Sequence, residues 1–461
     1  TNKKEIPGNG IDDDHNGYVD DLHGWNFLGG KDGRNILVES FESYREYYRL
    51  NHLDSLLPDS MRVDAEKNYR ERVKEGFLKD SLAQARTVEM VARVIPQMQF
   101  SDSILQAVLN KKEVYVKDLK KLQTTDSVVW EAKKNGLQYF RKYGISADMT
   151  LGKFIREAGK YLEGAKLELN SFSGDPNAQR RDIVKDDFNN IHDRGYGNNN
   201  VAAGNAAHGT HVAGIIAASR NNGKGIDGVA GNVQIMMLRA VPEGDERDKD
   251  IALAIRYAVD NGARIINMSF GKYFSPHQEW VDDAIKYAGA HNVLLVHIAG
   301  NDGLDIDTVM NYPNPEMEKG HEKSAVFITV GATSSGPDSL IVARFSNYGR
   351  SVVDLFAPGV KIYSTVPGNQ YETYSGTSMS APVVTGIAAL LLEYYLGLSA
   401  RQLKYVITHS VMKIPGSKVK MAATGQSVDF KTLSAGGGVV NAYNAIKLAA
   451  TLKGKQGRAS E

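Results

Sequence analysis

The run Val293–Ala299 constrains the fold of this chain more than any other segment. Its residues, Val-Leu-Leu-Val-His-Ile-Ala, leave almost no polar position for either face of a strand to show to water. A strand of that kind is buried on both sides, as in a parallel sheet covered by helices. The surrounding pattern agrees. Val233–Val241, Arg264–Phe270, Val326–Val330 and Val352–Ala357 also read as strands. Between them, Asp248–Asn261 carries an apolar stripe through Ile251, Ala254, Ile255 and Ala258, and His277–His291 is again helical. The expected class is α/β, a three-layer, doubly wound, mostly parallel sheet.

A second texture interrupts this one. Residues 36–186 are rich in Lys, Glu and Arg and poor in strand signals. Leu151, Ile155, Ala158, Leu162, Ala165 and Leu169 recur at three- and four-residue spacing and form one apolar helix face. Tyr69, Val73 and Phe77 form a second. We expect a large α-helical insertion of several helices, with a break or kink where Pro96 falls inside the helical pattern. Near the other end, Ser399 is a candidate N-cap for a helix over Ala400–Thr408. Gly436-Gly437-Gly438 precedes a closing helix that starts near Val440-Asn441-Ala442, and residues 451–461 are expected to be a flexible polar tail.

Composition narrows the chemistry. The formal net charge is +1 over 461 residues, so charge alone recommends neither nucleic acid nor an anionic membrane as a partner. Cysteine is absent, which excludes disulfides, thiolate metal sites and a cysteine nucleophile. No apolar run approaches the roughly 18–20 residues that span a bilayer, and nothing points to an organic cofactor.

Three short blocks carry reactive groups. The first is His208-Gly209-Thr210-His211-Val212-Ala213-Gly214, opening a helix over His208–Ala218. The second is Ala299-Gly300-Asn301-Asp302, the turn that follows the buried strand. The third is Gly376-Thr377-Ser378-Met379-Ser380-Ala381-Pro382, followed by the apolar, helix-compatible Val383–Leu392. A serine at a helix N-terminus has a hydroxyl that can attack and a backbone N–H with no helical partner. An imidazole at the sheet edge can take the hydroxyl's proton. A carboxamide at a strand end can donate to a developing oxyanion, worth roughly 3–4 kcal/mol in such sites. Two histidines three residues apart could instead hold a metal, but no third ligand with matching spacing lies nearby.

These blocks, in this order, resemble the subtilase family of serine peptidases, in particular large Bacteroidetes-type members with a helical insertion. The resemblance is close from about Val201 to Leu392 and looser towards both ends. It implies a serine endopeptidase with Ser378 as nucleophile, His208 as base and Asn301 as oxyanion donor. It implies that Ser269-Phe270-Gly271 and Ala299-Gly300 flank an extended polypeptide substrate held by strand addition. It also implies a catalytic domain formed by residues 1–35 and 187–450, and an exported bacterial protein, whether periplasmic, at the cell surface or secreted.

Two features near the start complete the expectations. In Asp12-Asp13-Asp14-His15-Asn16-Gly17-Tyr18-Val19-Asp20-Asp21, acidic and amide residues alternate ahead of a glycine turn, as in an EF-hand loop. Asp12, Asp14, Asn16, the Tyr18 carbonyl, and Asp20 or Asp21 are candidate ligands for a structural calcium. The family's third catalytic member, an aspartate that follows an apolar strand and precedes Ser/Thr-Gly, has no counterpart here. We expect it on an upstream segment of the same precursor, which would also supply a central strand of the sheet. The alternative is a catalytically impaired relic that binds peptides or serves as a scaffold.

Overall fold

The computed structural model describes residues 2–52, 64–142, 149–317, 322–336, 341–421 and 425–452. The chain forms two compact units, Thr1–Leu37 with Asn177–Glu461, and Val38–Pro176. Most of the tail expected at 451–461 lies outside the described residues.

In chain order, β1 (Gly24–Asn26) belongs to the larger unit. The helical unit follows with α1 (Glu42–His52), α2 (Asp64–Leu109), α3 (Val116–Lys121), α4 (Ser127–Lys142) and α5 (Leu151–Asn170). The larger unit resumes with α6 (Ala178–Ile183), α7 (Ala207–Ala217), β2 (Met237–Arg239), α8 (Asp248–Asp260), β3 (Ile265–Met268), α9 (Gln278–Ala290) and β4 (Leu294–Ile298). Next come β5 (Glu316–Met317), β6 (Glu322–Lys323), β7 (Phe327–Thr333), β8 (Leu355–Pro358), β9 (Ile362–Val366), β10 (Gln370–Tyr374) and α10 (Thr377–Tyr394). The chain closes with α11 (Ala400–His409), β11 (Met412–Lys413), β12 (Lys418–Lys420), β13 (Ser427–Asp429), β14 (Gly438–Val439) and α12 (Ala442–Leu452).

The main sheet has six strands in the order β11-β14-β8-β7-β4-β3. All pair in parallel except β11. Leu295 in β4 lies between Ile266 of β3 and Phe327 of β7. Every residue of β4 and of β7 is buried, which requires cover on both faces of the sheet. Side chains from α8, α9, α10, α11 and α12, among them Leu253, Ile285, Val384, Leu403 and Ala445, join the strands in one apolar cluster. The chain is therefore α/β, with a mostly parallel sheet between helical layers.

β3 ends the six-stranded sheet, and β2 pairs only with β1, in a separate parallel ladder. Among the described residues neither β2 nor β3 has a strand on its other side. Their residues are mostly half-buried, in contrast to the fully buried β4.

The helical unit has its own core, in which Val94, Met98, Leu105, Leu119, Ala132 and Leu151 pack together. The face predicted from Leu151 to Leu169 lies on α5, whose N-cap Thr150 accepts a bond from the Lys153 N–H at 3.1 Å. The break expected at Pro96 does not occur. α2 runs as one helix of 46 residues with Pro96 inside it. Val94 and Met98, on either side of the proline, are buried in that core, and α2 packs along α4 and α5. Packing of that extent outweighs the roughly 3 kcal/mol that a proline costs inside a helix.

Candidate active site

α10 places Ser378. Its buried face, including Val384, Ile387, Ala388 and Leu391, draws the helix across β3, β4, β7 and β8. The N-terminus of α10 thereby arrives at the carboxyl ends of β3 and β4, where open α/β sheets gather their functional loops. Ser378 is the second residue of α10, so its N–H has no intrahelical acceptor. Its side chain lies against the segment that leaves β3. Ser269 Oγ donates to the Ser378 carbonyl at 3.0 Å, and Ser378 Oγ donates to the Ser269 carbonyl at 3.4 Å.

The turn after β4 is built around Gly300, with φ of +104°. A Cβ there would lie 2.3 Å from Asn347 Nδ2. Asn347 fixes the turn by donating to the Ala299 carbonyl at 2.9 Å and by accepting from the N–H groups of Asp302 and Leu304 at 3.0 and 2.9 Å. Asn301 is then held by the turn that opens α10. Its Oδ1 accepts from the Thr377 N–H at 2.8 Å and from Thr377 Oγ1 at 2.9 Å. The backbone donor decides which end of the amide is oxygen, so Nδ2 is left available as a donor. A Cβ built on Gly376 would be 3.7 Å from Asn301 Nδ2, from Asn301 Oδ1 and from the Ser378 nitrogen, so the amide of Asn301 and the Ser378 N–H both border this glycine.

The walls that flank Ser378 are pinned from below. His297 of β4 is buried and donates through Nε2 to the Phe270 carbonyl at 2.7 Å. Burial holds its pKa down to about 4, with the Phe270 bond opposing. Lys272, next to Gly271, is buried, pairs with Asp248 at 2.8 Å and donates to the Glu246 carbonyl at 2.9 Å. Burial pushes the Glu246 carboxyl up to about 8, against the attraction of Lys272. Asn311 ties the second wall through its amide, which donates to the carbonyls of Ile298 and Ala299 at 3.3 and 3.1 Å. Thr377, His297, Asn311 and Asn347 were not legible as site residues, because no sequence spacing marks a side chain that bonds to a distant carbonyl.

α7 carries His208 as its second residue and packs against α10 and β9. Val212, Ile215 and Ile216 form a cluster with Met379 that joins the histidine helix to the serine helix. The two histidines of the block differ sharply. His211 is fully buried, whereas His208 is open to solvent. Of the two, only His208 is reachable from solvent. Its pKa is nevertheless lowered, first by the surrounding protein and then by His211. His208 has no hydrogen-bonded or charged carboxylate partner among the described residues.

The acidic loop gathers around a residue that the spacing did not single out. Ligand oxygens of Glu5, Asp12 and Asp14 lie within 4.8 Å of one another. All of these carboxylates also accept from protein donors: Glu5 from the Asp13 and Asp20 N–H groups at 3.0 and 3.1 Å, Asp12 from the Gly17 N–H at 2.8 Å, and Asp14 from the Asn2 amide at 3.1 Å. Asp20 accepts from the N–H groups of Gly8 and Gly10 at 2.7 and 3.0 Å, and Asp21 accepts from Asn2 and Asn16 at 2.7 and 2.9 Å. Asn16 Oδ1 accepts from the Tyr18 N–H at 2.8 Å, and the Tyr18 ring packs edge-on against Trp25 and Tyr257. Three carboxylates held this close could hold a metal ion.

Residues 66–443 match the Subtilase family, and the chain belongs to it. It is 39% identical over 241 residues to a thermophilic serine proteinase of Bacillus sp. (strain AK1), covering 52% of each protein. It is 35% identical over 241 residues to thermitase of Thermoactinomyces vulgaris, covering 52% of this chain and 75% of that one. Against the cell wall-associated protease of Bacillus subtilis (strain 168), identity is 39% over 196 residues, 42% of this chain and 20% of that one. The chain thus spans about half the length of the first of these relatives. Among solved structures, a cold adapted subtilisin-like serine proteinase aligns over 46% of this chain and 71% of its own, at 33% identity and a TM-score of 0.38.

Proposed function

We propose that the chain is the body of a serine endopeptidase in which His208 deprotonates Ser378, whose hydroxyl attacks a peptide carbonyl. Asn301 Nδ2 and the Ser378 N–H hold the oxyanion, an acyl-enzyme forms, and water releases it. The observation that carries this reading is the amide of Asn301, whose oxygen is taken up by Thr377 and which borders Gly376 together with the Ser378 N–H. The polypeptide substrate lies extended between Ser269-Phe270-Gly271 and Ala299-Gly300, two segments held by His297, Lys272 and Asn311. Residues 1–35 with 187–450 act as the catalytic domain, and residues 36–186 as a helical insertion.

The third member of the triad comes from an upstream segment of the same precursor. Two observations support this. Among the described residues β2 and β3 each lack a neighbour on one side, and the imidazole of His208 has no carboxylate partner. One strand inserted between β2 and β3, ending in an aspartate, would answer both. Without that acid the rate should be about 10⁴-fold lower, because the imidazole loses its tautomer and orientation. Calcium, held by Glu5, Asp12 and Asp14, acts as a structural cation that cancels their mutual repulsion. Export across the cytoplasmic membrane accords with such a site, which fills where calcium is plentiful.

The test is labelling of the full-length protein with a fluorophosphonate, together with a peptide-hydrolysis assay. Mass analysis should find the adduct on Ser378, and His208→Ala should abolish both signals. A full-length protein that neither labels nor hydrolyses peptides supports the second reading, a peptide-binding relic, which the unpartnered His208 favours.

A further inference from the structure

His211 is buried, belongs to the same block as His208, and has no part in the mechanism above. Its surroundings are specific. The β9–β10 hairpin runs against α7, and Ser364 and Thr365 donate through their hydroxyls to the carbonyls of His211 and Thr210 at 2.8 and 3.0 Å. The fit leaves no room between them. A Cβ on Gly214 would meet Thr365 Oγ1 at 2.2 Å and Ser364 Oγ at 2.4 Å. His211 reaches back across the hairpin. Its Nε2 lies 3.1 Å from the Ile362 carbonyl on β9 and 3.2 Å from the Glu372 carbonyl on β10. Its ring stacks on Tyr374, with centroids 4.4 Å apart. Two carbonyls facing one nitrogen require that nitrogen to carry the proton. Nδ1 is buried and has no hydrogen-bond partner, so a proton there would be sealed in without an acceptor.

The hairpin leads directly to the nucleophile. Only Ser375, Gly376 and Thr377 separate Tyr374 from Ser378. This link is short and bonded on both sides. Ser375 Oγ accepts from the Lys361 N–H at 2.9 Å, and the Gly376 N–H donates to the Gly359 carbonyl at 2.8 Å. His211 therefore ties the helix that carries the base to the strand that feeds the nucleophile.

We propose that His211, as the neutral Nε2–H imidazole, is a positioning residue that sets the separation of His208 from Ser378 through the β9–β10 hairpin. The inference rests on the peptidase reading, because it assigns His211 a role in that reaction. Phenylalanine at 211 would keep the stack on Tyr374 but remove the donor. Glutamine would keep a donor at the same reach without a second ring nitrogen.

The experiment compares the full-length protein with its H211F and H211Q variants by steady-state peptide hydrolysis, thermal unfolding and imidazole ¹⁵N NMR. H211F should lose kcat by about 10²-fold, the scale of a 1 Å misplacement, with KM little changed. H211Q should recover most of that loss. In the wild type the His211 spectrum should show the proton on Nε2, and the His208 resonances should move in H211F but not in H211Q. Loss of melting temperature in H211F with kcat intact at a temperature well below unfolding would overturn the inference, as would a proton on Nδ1. If the wild type hydrolyses no peptide, the peptidase reading fails on its own. The His208 resonances then still decide the coupling, and their constancy in H211F refutes it.

Discussion

At the scale of single residues, the site is a set of polar groups whose orientations are dictated by backbone neighbours. Asn301 shows this most clearly. Its amide is oriented by the Thr377 N–H, which occupies the oxygen and leaves Nδ2 to serve as the donor in the proposed oxyanion site. Asn301→Ala should lower kcat by about 10²–10³-fold with a smaller effect on KM, measured on a chromogenic peptide with the full-length protein. An equal loss in both variant and wild type on removing substrate contacts elsewhere would not mimic that pattern. His297 gives a second, pH-linked expectation. Its folded pKa of about 4 lies below the ordinary 6.5, so the unfolded chain takes up a proton that the folded chain refuses. Stability should therefore fall as pH drops from 6.5 towards 4, with a contribution of about 1.4 kcal/mol per pH unit from this group. His297→Gln removes the titration. Urea midpoints measured across that range should fall less steeply for the variant, and parallel curves would refute the assignment.

At the scale of elements, much of the sheet and little of its decoration was legible. β4 and β7 announce themselves because a strand buried on both faces must be apolar throughout. α8, α9 and α11 follow from stripes and caps. The α11 cap is complete, since Ser399 Oγ accepts from the Gln402 N–H at 3.2 Å while Gln402 Oε1 accepts from the Ser399 N–H at 2.8 Å. Ser399→Ala removes the first of these bonds, since alanine keeps the backbone N–H that donates to Gln402, and should cost about 1 kcal/mol, read as a lower urea midpoint. The strand expected over Val233–Val241 is only the three residues of β2, because the pairing that would extend it on its far side is absent among the described residues. The β9–β10 hairpin was missed altogether. Its turn signal, Gly368-Asn369, and the alternation of Gln370–Tyr374 are present, but half its residues are polar and its packing partner, α7, lies about 150 residues away in sequence. Within the site, the reactive groups were legible because their chemistry is rare. Their supports, Asn311, Asn347 and His297, were not, because ordinary side chains acquire those roles only through tertiary approach.

At the scale of the whole molecule, two incomplete features invite opposite tests. The acidic loop holds ligand oxygens of Glu5, Asp12 and Asp14 within 4.8 Å of one another. Chelation of the full-length protein should lower its melting temperature, and restoring calcium at about 100 times its dissociation constant should return about 2.7 kcal/mol. No change on chelation would reassign the loop to plain hydrogen bonding. The unpaired sides of β2 and β3 are the larger gap. Backbone groups on one edge each of Met237–Arg239 and Ile265–Met268 have no ladder partner among the described residues, and unpaired edges of this kind are costly to bury and readily accept another strand. Residues 1–461 expressed alone should therefore exchange the amides of β3 faster than those of β4, its fully paired neighbour. Adding in trans the upstream segment proposed above should slow exchange in β2 and β3 together and raise peptide hydrolysis by several orders of magnitude, since the proposal puts strand and acid on one piece of chain. Protection without a gain in activity would mean that the inserted strand carries no acid to His208. A gain in activity without protection would place the acid outside that strand.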